Sequence, residues 1–273
     1  MKTLLIPLVV LVLVSLACQF TPSAEPTATA VFSPSEAVIP TKVQPSPIPT
    51  ATDLPPLAPN AADEKTSAEG NYHEDFSGNI DNWTWYFVTG NTQDNAQVML
   101  DNNRLKVQLE PKEEAHLKLF ENTHMYQDVI VSATFENFGS NTNGVAVLCR
   151  VSDKGWYEFR ISTGGLYSIM RYDQALKDAE QNPYVTIASG GSSLVKTGLK
   201  ANKIAMSCAG DQFRFFVNDV EIKKDKLKIP TTKMDEFKKL GEGTTGLAVY
   251  AESNTDSPVK IEFTSFDAVI PEQ

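Results

Sequence analysis

The sequence predicts an all-β fold, a two-sheet antiparallel sandwich. Short runs with strict two-residue alternation recur from Asn71 to the C-terminus, and turn chemistry separates them. Helical spacing is confined to one short stretch, Met234, Phe237 and Leu240, ended by Gly241. Strands this numerous with so little helix must bury their apolar faces against a second sheet.

The clearest elements lie between Asn143 and Tyr172. Val145 to Cys149 is apolar on both faces until Arg150, so this strand is expected to be covered on both sides. Ser152-Asp153-Lys154-Gly155 is a turn, because Asp and Ser bond back to the local backbone and Gly tolerates positive φ. The next strand sets Tyr157, Phe159 and Ile161 on one face, with Trp156, Glu158 and Arg160 on the other. After Thr163-Gly164-Gly165, a third strand alternates Tyr167, Ile169 and Arg171 against Leu166, Ser168, Met170 and Tyr172.

Elsewhere the pattern predicts strands over Trp83–Val88, Val98–Leu100, Leu105–Leu109, His116–Phe120 and Val129–Phe135. Further on it predicts Tyr184–Ala188, Lys203–Cys208, Gln212–Asn218, Thr245–Glu252 and Val259–Ala268. Asp101-Asn102-Asn103 reads as a hairpin turn, and polar Asp173–Asn182 as a short helix or a loop.

Residues 1–17 read as a signal peptide: Lys2 supplies the positive charge and Leu4–Val14 the apolar run, shorter than the roughly 20 residues a bilayer span needs. Leu13-Val14-Ser15-Leu16-Ala17-Cys18 has the form of a bacterial lipobox, so Cys18 is expected to carry a diacylglyceryl group and often an N-acyl chain. Two or more chains anchor stably where one is marginal. Residues 18–70 read as a disordered linker, since ten of the chain's sixteen prolines fall there among Thr, Ser and Ala. Such a stalk holds the domain, residues 71–273, outward from the envelope. That domain, about 200 residues, suits one all-β unit.

The net charge of −10 gives no basic footprint for nucleic acid, and the membrane is expected to be met through the lipid anchor only. With Cys18 assigned to lipid, Cys149 and Cys208 are an even pair in an exported domain. A disulfide is expected, with two buried thiols as the alternative. No His or second Cys stands at ligand spacing, so no metal is expected there.

The face bearing Trp156, Glu158 and Arg160, joined by Tyr167 and Arg171 from the next strand, has the composition of a sugar-binding surface. An aromatic there stacks on an apolar ring face while charged groups bond hydroxyls. The competing explanation is a cross-strand stabilising cluster. For catalysis the weak candidate is Glu158, which has Arg160 and no second carboxylate two residues on. His73, His116 and His124 stand apart, and no nucleophile elbow or phosphate loop is present.

Several stretches carry a family resemblance. Asp75-Phe76-Ser77 followed by Trp83, and Asp128–Phe135, resemble the opening of exported concanavalin A-like lectin/glucanase domains, the laminin-G-like jelly rolls. Gly144–Arg150 with Trp156-Tyr157-Glu158-Phe159 is similar to their central meander. Phe213–Asn218 is similar to a strand of theirs that ends in Asn-Gly, with Asp219 here in place of Gly. Gly243–Tyr250 and Val259–Asp267 resemble their last two strands. The resemblance implies a jelly-roll sandwich that takes a glycan or a surface protein as ligand. Many relatives hold calcium on loop carboxylates, so the resemblance admits calcium without pointing to particular residues of this chain. The laminarinase strand motif Glu-x-Asp-x-x-Glu is absent. The 3-keto-disaccharide hydrolase domains are loosely similar through Tyr157-Glu158, but Ile161-Ser162 stands where their following Asp falls. The expectation is a non-catalytic surface module that binds carbohydrate or another envelope component. The alternatives are a glycoside hydrolase of the same fold and a purely structural or adhesive module.

Overall fold

The structure is a computed structural model that describes residues 70–89, 96–110, 114–210, 212–223, 240–252 and 257–272. The signal peptide, Cys18, the linker through residue 69, and Met234 and Phe237 of the expected helix lie outside the described residues.

The strands in order are β1 (Tyr72–Glu74), β2 (Trp83–Thr89), β3 (Ala96–Leu100), β4 (Leu105–Leu109), β5 (Ala115–Glu121), β6 (Val129–Asn137), β7 (Gly144–Ser152) and β8 (Gly155–Ser162). They continue with β9 (Leu166–Asp173), β10 (Tyr184–Gly191), β11 (Ala201–Ala209), β12 (Gln212–Val217), β13 (Val220–Glu221), β14 (Thr244–Ala251) and β15 (Val259–Val269). A single turn of helix, α1 (Gln174–Asp178), follows β9, and its N-cap Asp173 accepts from the Ala175 amide at 3.0 Å. Every strand expected from alternation is present. The two not expected, β1 and β13, are three and two residues long, too short to show a period.

The strands form two antiparallel sheets. One runs β13-β12-β11-β6-β15-β4-β3, with β1 beside the second half of β15. The other runs β10-β9-β8-β7-β14-β5-β2. The β3–β4 hairpin closes through Asn102 (φ 53°) and Asn103 (φ 56°), with Asp101 and Arg104 exchanging backbone bonds of 3.1 and 3.2 Å. Positive φ at both central residues matches the strands' twist, which is why asparagines stand there. Asn218 and Asp219, at φ 50° and 64°, turn β12 into β13 in the same way.

Phe135, Phe215, Phe263 and Met206 from the eight-stranded sheet meet Val147, Phe159, Leu247 and Leu117 from the seven-stranded sheet in the core. Cys149 on β7 and Cys208 on β11 are disulfide-bonded across the two layers, as expected from the sequence. A bulge in β7 leaves Arg150 at φ 51°, and its guanidinium donates to the carbonyls of Gln127 (3.1 Å), Leu240 (3.2 Å) and Gly210 (2.7 Å). Arg150 therefore ties three connecting segments to the sandwich.

The two outer faces differ. The eight-stranded sheet shows water a polar face, where Arg104 pairs with Glu136 (3.2 Å) and Glu262 (3.1 Å). The outer face of the seven-stranded sheet is buried along β7, β8 and β14, as the two-sided apolar pattern of β7 requires.

Candidate functional site

The buried outer face is a trough built around β8. Trp156, Glu158 and Arg160 line one side of that strand, while Tyr157, Phe159 and Ile161 enter the core. Cross-strand partners share a face. Trp156 pairs with Tyr172, Glu158 with Met170 and Arg160 with Ser168, so β9 contributes those three residues to the trough. Tyr167 and Arg171 pair instead with Ile161 and Tyr157. The expectation that they join the Trp156 face is thereby corrected: the hairpin matches odd-numbered residues with odd-numbered ones, and a one-residue difference in register reverses the face. Tyr167 packs in the inter-sheet core, and the buried Arg171 holds Asp173 at 2.5 Å.

Two strands, β7 and β14, separate β8 from β5. The row that runs from Lys118 to Arg160 crosses small residues there, Ala248 on β14 and Ala146 on β7, and on either side of it Gly246 faces Leu148 and Gly144 faces Tyr250. At Gly246 a Cβ would lie 2.3 Å from the Leu119 carbonyl oxygen, and at Gly144 2.9 Å from the Tyr250 Cβ. This low floor lets long side chains meet across the trough. Lys118 Nζ on β5 reaches Glu158 Oε2 on β8 at 2.9 Å and also donates to the Tyr250 hydroxyl. Tyr250 donates to Glu158 Oε2 at 2.6 Å, Trp156 Nε1 donates to the same oxygen at 3.2 Å, and Arg160 Nη2 donates to Oε1 at 2.9 Å. Both carboxylate oxygens are therefore taken.

Rings fill the remaining space. Trp156 stacks on Tyr172 at 3.9 Å with 4° between planes, and Phe120 closes on Trp156 from β5 at 5.9 Å. Arg160 lies 3.4 Å from the Tyr250 ring centre, and Lys118 Nζ lies 4.2 Å from it. The His116 ring meets Tyr250 at 4.8 Å and Tyr184 at 5.6 Å.

Burial would raise the Glu158 carboxyl, but attraction to Lys118 and Arg160, with the bonds from Tyr250 and Lys118, outweighs it and holds the group below the ordinary carboxylate range. Burial lowers the Lys118 ammonium to about 8, with Glu158 opposing. Burial, with Lys118 and Arg160 nearby, lowers His116 to about 3. At neutral pH the trough thus holds an ionised Glu158, a charged Lys118 and Arg160, and a neutral His116.

Glycoside hydrolysis requires an acid that keeps its proton and a second carboxyl about 5–9.5 Å away. Glu158 is ionised, and no other carboxylate joins it in the hydrogen-bonded cluster among the described residues. No group of three or more His, Cys, Asp or Glu able to hold a metal occurs among the described residues.

Sequence reasoning missed Lys118, His116, Tyr250, Tyr172 and Tyr184. Lys118 is visible as a lone cation between Leu117 and Leu119, yet nothing local shows that its carboxylate partner stands forty residues on. Trp156 is 1% exposed with one ring face already covered, so it is a packed residue rather than an open stacking platform. Trp156→Ala is expected to cost about 3–5 kcal/mol, read as a drop in the denaturant midpoint. An unchanged midpoint would return Trp156 to the role of an exposed platform.

No protein-family model matches the chain, and no curated protein does. Solved structures match its fold. A laminarinase from Flavobacterium sp. UMI-01 is 11% identical, with a TM-score of 0.50 over 74% of this chain and 100% of that one. The laminarinase catalytic domain from Thermotoga maritima MSB8 is 12% identical, with a TM-score of 0.51 over 75% and 99%. A native glycosidic hydrolase is 10% identical, with a TM-score of 0.51 over 76% and 100%. At such identities the likeness is one of fold: the described domain is a two-sheet jelly-roll sandwich of the kind seen in these structures.

Proposed function

We propose that this chain is an exported, lipid-anchored surface protein whose jelly-roll domain binds a glycan without cleaving it. The lipobox ending at Cys18 and the proline-rich stretch after it support anchorage to a bacterial envelope on an outward stalk. The observation that carries the non-catalytic reading is the state of Glu158. Its two oxygens are bound by Lys118, Arg160, Tyr250 and Trp156, and it is held ionised, so it cannot serve as the acid, while the second carboxyl that a nucleophile or base would need beside it is absent from its hydrogen-bonded cluster among the described residues. A glycan is favoured as ligand because solved laminarinases share this fold, and because the polar side chains of Arg160 and His116 on this face keep part of their surface in solvent.

The test is a glycan-array screen of the full chain, with and without calcium, paired with a reducing-sugar assay on the bound polysaccharides. Binding without turnover is the expected result. Turnover by the parent, abolished in Glu158→Gln that circular dichroism shows still folded at the assay temperature, would establish a hydrolase instead. A blank array from folded protein would move the assignment to a protein-binding or structural module.

A further inference from the structure

Three buried polar atoms in the trough have no hydrogen-bond partner: Arg160 Nε, His116 Nδ1 and the Tyr184 hydroxyl. They belong to side chains grouped by Tyr250 and His116. Arg160 lies over the Tyr250 ring at 3.4 Å, and His116 touches both Tyr250 and Tyr184. A buried polar atom left unpaired costs about 1–3 kcal/mol, so three in one place call for a partner from outside the chain. The trough meets solvent here, since the Arg160 and His116 side chains keep 17% and 12% of their exposure.

The chemistry of the three atoms differs in a useful way. Arg160 Nε–H can only donate. His116 Nε2 faces Glu114 Oε1 at 2.8 Å, which places the ring proton on Nε2 and leaves Nδ1 an acceptor. The Tyr184 hydroxyl can do both. A sugar hydroxyl likewise donates once and accepts, so a neighbouring pair of hydroxyls satisfies this set while a carboxylate would face the Nδ1 lone pair. Two cations, Lys118 and Arg160, stand against two carboxylates, Glu158 and Glu114, so no charge is left to attract an anion.

We infer that Arg160, His116 and Tyr184 form a subsite for the adjacent hydroxyls of one uncharged sugar residue. This rests on the glycan-binding reading and names its ligand class. Tyr184→Phe is the sharpest probe, because it deletes one hydroxyl that has no partner in the protein. The full chain and this variant are titrated by calorimetry with β-1,3-gluco-, xylo- and galacto-oligosaccharides and with galacturonate oligomers, and both are melted. The expected result is binding of a neutral oligosaccharide, weakened about three- to tenfold in Tyr184→Phe, with a melting temperature equal to or above that of the parent. Neutral binding that Tyr184→Phe leaves unchanged would overturn the subsite while sparing the glycan-binding function. Binding of galacturonate oligomers alone would overturn the uncharged class. Binding of none of these would remove the subsite, and a blank array beside it would remove the function as well.

Discussion

Glu158→Gln is expected to destabilise the fold by about 3–5 kcal/mol, the cost of leaving a buried cation without its counter-ion. The reasoning starts from burial. Lys118 and Glu158 are both 0% exposed, and the ion pair replaces the water each has lost. Glutamine keeps the shape but not the charge, so Lys118 and Arg160 would then repel across the trough. Lys118→Met in the same chain should recover much of the loss, and a double-mutant cycle reads the coupling. The wild-type pH profile gives an independent check. Glu158 is held below its ordinary value of 4.5 in the fold, so its contribution is complete above about pH 4.5 and is lost as pH falls from there toward the folded-state value. Glu158→Gln should flatten that acid limb. A variant that melts with the parent, with an unchanged acid limb, would show that the pair contributes nothing net.

Reducing the disulfide, or replacing both cysteines with alanine, is expected to remove about 4 kcal/mol. The bond closes a loop of 59 residues, and the chain-entropy cost of such a loop is lifted from the unfolded state. For a domain of about 200 residues this is a fall of about 8–16 °C in melting temperature. The bond also joins β7 to β11 between the sheets, so its loss would act on the sandwich as a whole. Oxidised and reduced chains that melt together would show that packing alone holds the layers.

Much of the fold was legible because alternation with period two is a local property. Leu105, Val107 and Leu109 announce an inward face without reference to any other strand, and Asn102-Asn103 announces its own turn. The cysteine pair was legible for a different reason: with Cys18 expected to carry lipid, two cysteines remain and have one way to pair. The site was less legible. Trp156, Glu158 and Arg160 share a face by alternation alone, but which β9 residues join them depends on register. Register is set by the hairpin, and it places Tyr172 and Met170 there while sending Tyr167 and Arg171 to the other side.

The sequence by itself determined the all-β class, the strand positions, the two-sided burial of β7 and the candidacy of Glu158. Only the tertiary structure decided what Glu158 is. Its partners Lys118, Arg160 and Tyr250 come from three strands, brought together because the residues between Lys118 and Arg160, Ala248 and Ala146, keep the intervening floor low. A carboxylate's chemistry depends on the charges within a few ångströms of it, and chain order carries no record of those distances.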